Sequence, residues 1–236
     1  MNRTFVLAVA SGLLAALFGG TAWAQSVPRA RTLIVCQGAD PVFLWPNGST
    51  TSYNLNVGAA IVESFVWTDP RTGKIEPLLA ESWKFLSETT LQIKLRRGVK
   101  FSNGEPFDAA AAKFSLDLIR DAKITPAYSR YTEPLTGVDI VDEHTINVRT
   151  EGAYPGLLLT LYRAYVVPPK YWKEAGKNAY NMKPVGTGPY RLREWVKDDR
   201  LVMDKNTDYW GTAPGGIDRV IWRPIPDDTA RVAALS

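Results

Sequence analysis

One cysteine, Cys36, and one histidine, His144, are all that the 236 residues carry. Those counts exclude an intrachain disulfide and any metal cluster built on Cys or His, so neither staple can hold the fold. Stability must come from apolar burial. At 45% hydrophobic residues the chain is rich enough for one or two domains with sizeable cores. The same counts narrow the chemistry, because a Ser-His-Asp triad would have only His144 to use. Lys plus Arg number 28 against 24 Asp plus Glu, and the two signs are interspersed. That mild balance does not suit a dedicated nucleic-acid binder. Glycine (18) and proline (16) are close to average usage, which excludes collagen-like and low-complexity chains.

Residues 1–24 read as a secretory signal peptide. Arg3 forms a short positive region, Phe5 to Phe18 is apolar and uncharged, and Ala22-Trp23-Ala24 has the small-x-small pattern of a cleavage site. The alternative is an uncleaved membrane anchor, disfavoured by Gly19 and Gly20 before that site. Cleavage would leave Gln25 first and place a soluble protein in the periplasm of a Gram-negative cell.

Thr32 to Gln37 is an apolar run expected to form a buried strand, with Cys36 as a small hydrophobe inside it. A loop with Pro41, Pro46, Asn47 and Gly48 follows, and Ser52 is expected to cap a helix running to about Val66. Leu91 to Leu95 alternates as a half-buried strand, and Asp108 caps a helix from Ala109 to about Arg120. Two hairpins are expected. One joins Val138–Val141 to Thr145–Thr150 and carries His144 in an exposed turn; the other joins Tyr190–Val196 to Arg200–Lys205 through Lys197-Asp198-Asp199. Short helices are expected over 155–163 and from Pro169, then a strand over 218–224 and a helix opening at Asp227. That last helix stops at Ser236 after roughly two turns without a cap, so the sequence reads as the N-terminal part of something longer.

No GxSxG, P-loop or GxGxxG pattern is present. Gly186-Thr187-Gly188 precedes Pro189 and a strand, not a helix, so it reads as a structural turn. The acid pairs Asp198-Asp199 and Asp227-Asp228 read as a solvated turn and a helix start. Neither catalytic nor metal-ligating residues are expected, and no cofactor. Trp45 differs from the other tryptophans because it sits with Phe43 and Leu44 in an otherwise polar loop. It is a candidate ligand contact, the alternative being an anchor into its own domain. Tyr128 and Tyr131, beside Arg130, form a weaker case of the same kind.

Six blocks occur in order. They are Leu79–Trp83, Leu91–Phe107, Lys113–Leu116, Pro184–Tyr190, Asn206–Gly211 and Arg223–Leu235. Behind a signal peptide, this series resembles the family 5 extracytoplasmic solute-binding proteins, the dipeptide-, oligopeptide- and nickel-binding receptors of ABC importers. The resemblance spans nearly all of residues 31–236. Two departures stand out: family members are about twice this length, and Asp40–Asn56 is unlike the commoner members.

The resemblance implies an α/β fold with mixed sheets, of the periplasmic-binding-protein-like type II, class C cluster. The first lobe would comprise 26–57 and 182–236, a small additional domain 58–181, and the second lobe would be missing. It implies ligand held between lobes that close by hinge motion. Bound peptide would pair as an added strand with Gln37, Gly38, Ala39 and Asp40, joined by Trp45 and Tyr53. The implied partners are a peptide or similar small solute and an inner-membrane ABC permease, with no nucleic acid, for a monomer. The charged residues that clamp peptide termini would lie in the missing lobe. The competing readings are a secreted hydrolase and a chemoreceptor partner without a transporter.

Overall fold

The computed structural model describes residues 31–234. The leader expected over 1–24 lies outside them. Strand β1 (Thr32–Gln37) opens the described chain, and helix α1 (Ser52–Gly58) follows a loop containing the 3-10 turn Pro46–Gly48. Short strands β2 (Val66–Thr68) and β3 (Ile75–Pro77) pair as a ribbon. Next come β4 (Ala80–Ser87), β5 (Thr90–Leu95) and α2 (Ala109–Arg120). After the single turn α3 (Ser129–Thr132) come β6 (Leu135–Asp142), β7 (Thr145–Thr150), α4 (Leu157–Tyr162) and α5 (Pro169–Met182). The chain then forms β8 (Tyr190–Val196), β9 (Arg200–Lys205), β10 (Arg219–Pro224) and α6 (Asp228–Ala233).

Two four-stranded sheets organise these elements. In one, β4-β5-β7-β6, every pairing is antiparallel. In the other, β1-β10-β9-β8, β1 runs parallel to β10 and the remaining pairs are antiparallel. Each sheet has its own apolar cluster. The larger packs Leu91, Ile93, Ile146 and Val148 against Leu116 and Ile119 of α2. The smaller packs Leu201, Met203 and Val220 under Leu44, Val57, Ile61 and Val62.

Local chemistry explains the elements that match expectation. Asp108 accepts a hydrogen bond from the Ala111 amide at 2.9 Å, and α2 ends in Arg120, whose guanidinium binds the carbonyls of Leu135 and Thr136. Asp198 in the β8–β9 turn has φ 59°, a left-handed position that an aspartate tolerates better than most residues.

Four points need correction. Strand β1 forms where expected but is not buried: Thr32, Leu33 and Ile34 are exposed and only Gln37 is buried, because the strand lies at the edge of its sheet. The helix from Ser52 ends at Gly58 rather than near Val66, and Val66 belongs to β2. A Cβ at Gly58 would stand 2.5 Å from the Leu44 carbonyl, so only glycine allows the loop to cross there. The carbonyls of Ala60 and Ile61 then leave helical geometry to accept from the Tyr190 and Gly188 amides at 3.1 and 2.9 Å. Strand β4 was not anticipated: all but one of its residues are outside the core, so it lacks clear two-residue alternation. Finally, His144 does lie in a hairpin turn, where its amide binds Asp142 at 2.8 Å and its carbonyl accepts from Leu95 at 2.7 Å. Its side chain is nonetheless mostly buried, because the strand pairing draws the turn onto the sheet.

Candidate functional site

The loop after β1 is tied down at every few residues. The Asp40 carboxylate, almost fully buried, accepts from the Trp195 indole at 3.0 and 3.2 Å and from the Asp198 amide at 3.2 Å. Lys197 stands 3.5 Å from it. Val42 donates to the Asn54 side chain. Leu44 enters the smaller apolar cluster and the neighbouring Trp45 enters the larger. Asn47, wholly buried, donates to the Arg163 carbonyl at 2.6 Å and accepts from the Tyr165 amide at 3.1 Å. The Tyr128 hydroxyl donates to the carbonyls of Pro46 and Ser49. Burial pushes that phenol up to about 12, so it stays neutral.

These contacts decide the fate of the expected site residues. Trp45 is 0% exposed, its ring 4.6 Å from Trp172 and 6.4 Å from Tyr180. It is a core anchor in this structure, because an indole flanked by apolar loop residues gains more from burial than from lining solvent. Asp40 likewise spends its carboxylate on the β8–β9 hairpin. Gln37 ends β1, is 8% exposed, and holds a buried side-chain oxygen without a hydrogen-bond partner. Its carbonyl accepts from the Ile225 amide. Gly38 is crowded: a Cβ there would stand 2.9 Å from the Tyr53 hydroxyl. Ala39 is half-buried in the bend that follows. Gln37, Gly38 and Tyr53 thus come together, while Asp40 and Trp45 face away into structural roles. Tyr131 is stacked under two guanidinium groups, those of Arg130 and Arg163 at 4.8 and 5.0 Å.

Beside Tyr53, the next face of α1 borders an open cavity of about 580 Å³. Ser52, Asn56, Tyr128, Tyr162, Arg163, Tyr165 and Trp222 line it, together with Leu55 and Ala59. Sequence reasoning missed most of these. Residues 162–165 sit at and just past the end of a short helix, and no periodicity marks side chains that meet α1 only in three dimensions. Tyr162, Tyr165 and Ala59 also border a second cavity of about 400 Å³ that reaches Glu63, Trp67 and Tyr209. Glu63 is 5% exposed, and its two carboxylate oxygens accept from the Tyr209 hydroxyl at 2.7 Å and the Trp210 indole at 2.8 Å. Desolvation raises its pKa, partly offset by those bonds and by Arg96. Arg96 in turn lies 4.6 Å over the Trp210 ring.

Among the described residues no group of three or more His, Cys, Asp or Glu could hold a metal ion. The Gly186–Gly188 turn packs on the 60–62 backbone, where a Cβ at Gly188 would stand 2.6 Å from the Ile61 carbonyl. It is a structural turn.

Comparison with known proteins gives a consistent result. The model of the bacterial extracellular solute-binding proteins, family 5 (middle), matches residues 74–236. The glutathione-binding protein GsiB of Escherichia coli K12 is 30% identical over 235 residues, covering 96% of this chain and 44% of that protein. Among solved structures, MoaA of A. tumefaciens R10 in complex with mannopinic acid superposes with a TM-score of 0.80 at 25% identity, covering 88% of this chain and 43% of that one. DppA of Helicobacter pylori with the peptide STSA superposes with a TM-score of 0.76 at 26% identity, covering 87% and 45%. The chain therefore spans under half the length of the proteins it matches.

Proposed function

The chain belongs to family 5 of the bacterial extracellular solute-binding proteins, and from that premise we propose that it forms one wall of a receptor that captures a small peptide or a similar solute. The family match over 74–236 carries this reading; the open cavity beside α1 gives it a location. On this reading the protein is exported to the periplasm by residues 1–24, works as a monomer and hands its ligand to an inner-membrane ABC permease. It carries out no covalent chemistry. Ligand binding selects a closed form through its higher affinity for that form.

The wall is formed by Gln37, Gly38 and Tyr53 with the cavity-lining side chains. The division into 26–57 plus 182–236 and 58–181 is supported by the two separate apolar clusters. Ile61 and Val62 belong to one and Phe65 to the other, which supports a crossing a few residues after 58. Trp45 crosses that division. Glutathione, short peptides and opine-like acids are the first ligands to try, since relatives and structural neighbours are named for or bound to such molecules.

The test is a thermal-shift and calorimetric screen of that panel. A cognate ligand at one hundred times its Kd stabilises by about 2.7 kcal/mol, several degrees in Tm. Mass spectrometry then recovers the bound molecule. Unchanged ligand supports a receptor, whereas recovered hydrolysis product establishes the competing hydrolase. Binding by residues 25–236 alone should be much weaker than by a two-walled protein, with each 1.4 kcal/mol of lost contact costing about tenfold.

A further inference from the structure

Asparagine followed by glycine occurs twice in the chain, at Asn47-Gly48 and at Asn103-Gly104. The pair is chemically labile, because glycine has no side chain to hinder its amide from reaching the asparagine side-chain carbon. The fold treats the two copies in opposite ways. Asn47 is wholly buried and held by distant residues: it donates to the Arg163 carbonyl at 2.6 Å and accepts from the Tyr165 amide at 3.1 Å. Asn103 and Gly104 are exposed in the turn bridged by Lys100 and Pro106. Their bonds stay inside that turn. Asn103 accepts from the Glu105 amide at 3.2 Å and donates to the Glu105 carboxylate at 2.6 Å, while the Gly104 amide donates to the Phe101 carbonyl at 2.8 Å. One local excursion of the turn frees all three, with water at hand to replace them. Freeing Asn47 requires a loop to part from residues 163–165. A Cβ at Gly104 would meet no atom within 4 Å, so the amide also has room to move.

The neighbour of Asn103 gives the site a consequence. Pro168, at the N-cap of α5, supplies no side-chain hydrogen bond to the helix. Glu105 caps the helix from outside instead. Its Oε2 accepts from the Lys170 amide at 3.0 Å and its Oε1 from the Tyr171 amide at 3.1 Å. The Asn103 side-chain amide donates to that same Oε1. The labile amide therefore helps to hold the carboxylate that caps α5, and α5 carries Trp172, the ring against Trp45.

We propose that Asn103 is a site of spontaneous deamidation, and that its conversion releases the outside cap of α5. The Gly104 amide nitrogen attacks Cγ of Asn103, the bond from Cγ to Nδ2 breaks, and ammonia leaves with the proton of the Gly104 amide. Water then opens the succinimide at either carbonyl, giving aspartate or isoaspartate. Either product removes a donor from Glu105 and sets a like charge beside it. The inference is independent of the ligand and of the receptor reading.

The experiment ages the full chain in mildly alkaline buffer and maps its peptides by mass. The expected result is that the Asn103 peptide gains the mass of an amide exchanged for an acid, and that an isoaspartyl methyltransferase labels it. The Asn47 peptide should stay unchanged, and in urea both should convert alike. Asn103→Gln, whose longer side chain closes the ring poorly, should not convert. Hydrogen exchange at the Lys170 and Tyr171 amides should quicken about tenfold in the aged chain and in Asn103→Asp. No conversion at Asn103 in the folded chain, or equal conversion at Asn47, would overturn the site. A difference that persists in urea would assign the selectivity to flanking sequence and overturn the role of the fold. Unchanged exchange at both amides would overturn the link to α5.

Discussion

The two sheets solve the same problem to different degrees. The β4-β5-β7-β6 sheet has a helix across it, and its central strands β5 and β7 alternate buried and exposed as a half-covered sheet should. The β1-β10-β9-β8 sheet is covered by one short helix and the segment after it. Its edge strand β1 leaves Leu33 and Ile34 about half exposed, and Trp195 and Trp222 are only partly buried. The first body closes around its own residues and one borrowed tryptophan, Trp45. The second closes under Leu44 and the segment after α1, and of its strand residues Trp222 borders the cavity beside α1. An apolar strand edge in that state is tolerated only when something covers it or function requires it.

The comparison can be broken most severely at Trp45, where the loop of the second body is anchored in the core of the first. Trp45→Ala should destabilise by about 3–5 kcal/mol, read from urea unfolding. A loss below about 1 kcal/mol on the same scale of core truncations would detach Trp45 from that core and return it to the ligand wall. Next is the turn that packs on the segment leading from one body to the other. Gly188→Ala forces a methyl group against the Ile61 carbonyl and should cost about 1–3 kcal/mol as an overpacked substitution.

Helix caps sharpen the contrast on a smaller scale. Asp108→Ala removes the bond to Ala111 in a helix with a buried face and should cost about 1 kcal/mol. Asp227→Ala removes the equivalent bond to Ala230 in α6, which buries no residue, and should cost under about 0.5 kcal/mol. Equal losses would mean that α6 is as well supported as α2.

The gentlest probe is a slope rather than a loss. Glu63 has a folded pKa raised by burial, so the folded state holds its proton more tightly than the unfolded state. Its contribution is therefore present below the ordinary value of 4.5 and declines as pH rises through the raised folded value, then levels off. Glu63→Gln should remove that decline from the stability-versus-pH curve. The glutamine oxygen can still accept from the Trp210 indole while its amide donates to the Tyr209 hydroxyl oxygen. An unchanged slope would show that Glu63 does not carry it.

The fold was largely legible in the sequence because its signals are local. An aspartate before a run of alanines marks α2, and paired alternating runs mark β8 and β9. The failures share a cause as well. The helix after Ser52 ends for the sake of backbone contacts to residues 188 and 190, which no local pattern announces. The site was less legible. Gln37, Gly38 and Tyr53, expected from the resemblance, cluster at the end of β1, whereas Trp45 and Asp40 owe their places to partners more than a hundred residues away.

Among the described residues strand β1 has a single neighbour in its sheet, β10, and the amide of Arg31 is held by Asp218, 187 residues further along. A chain made from its N-terminus therefore produces its first strand long before the partner exists. The β4-β5-β7-β6 body can form on schedule from nearby segments, while β1 must wait, apolar and unpaired, until nearly all of these residues have emerged. Pairing across so long a separation is expected to come late in folding, and an unpaired apolar strand is exposed to mispairing until it does.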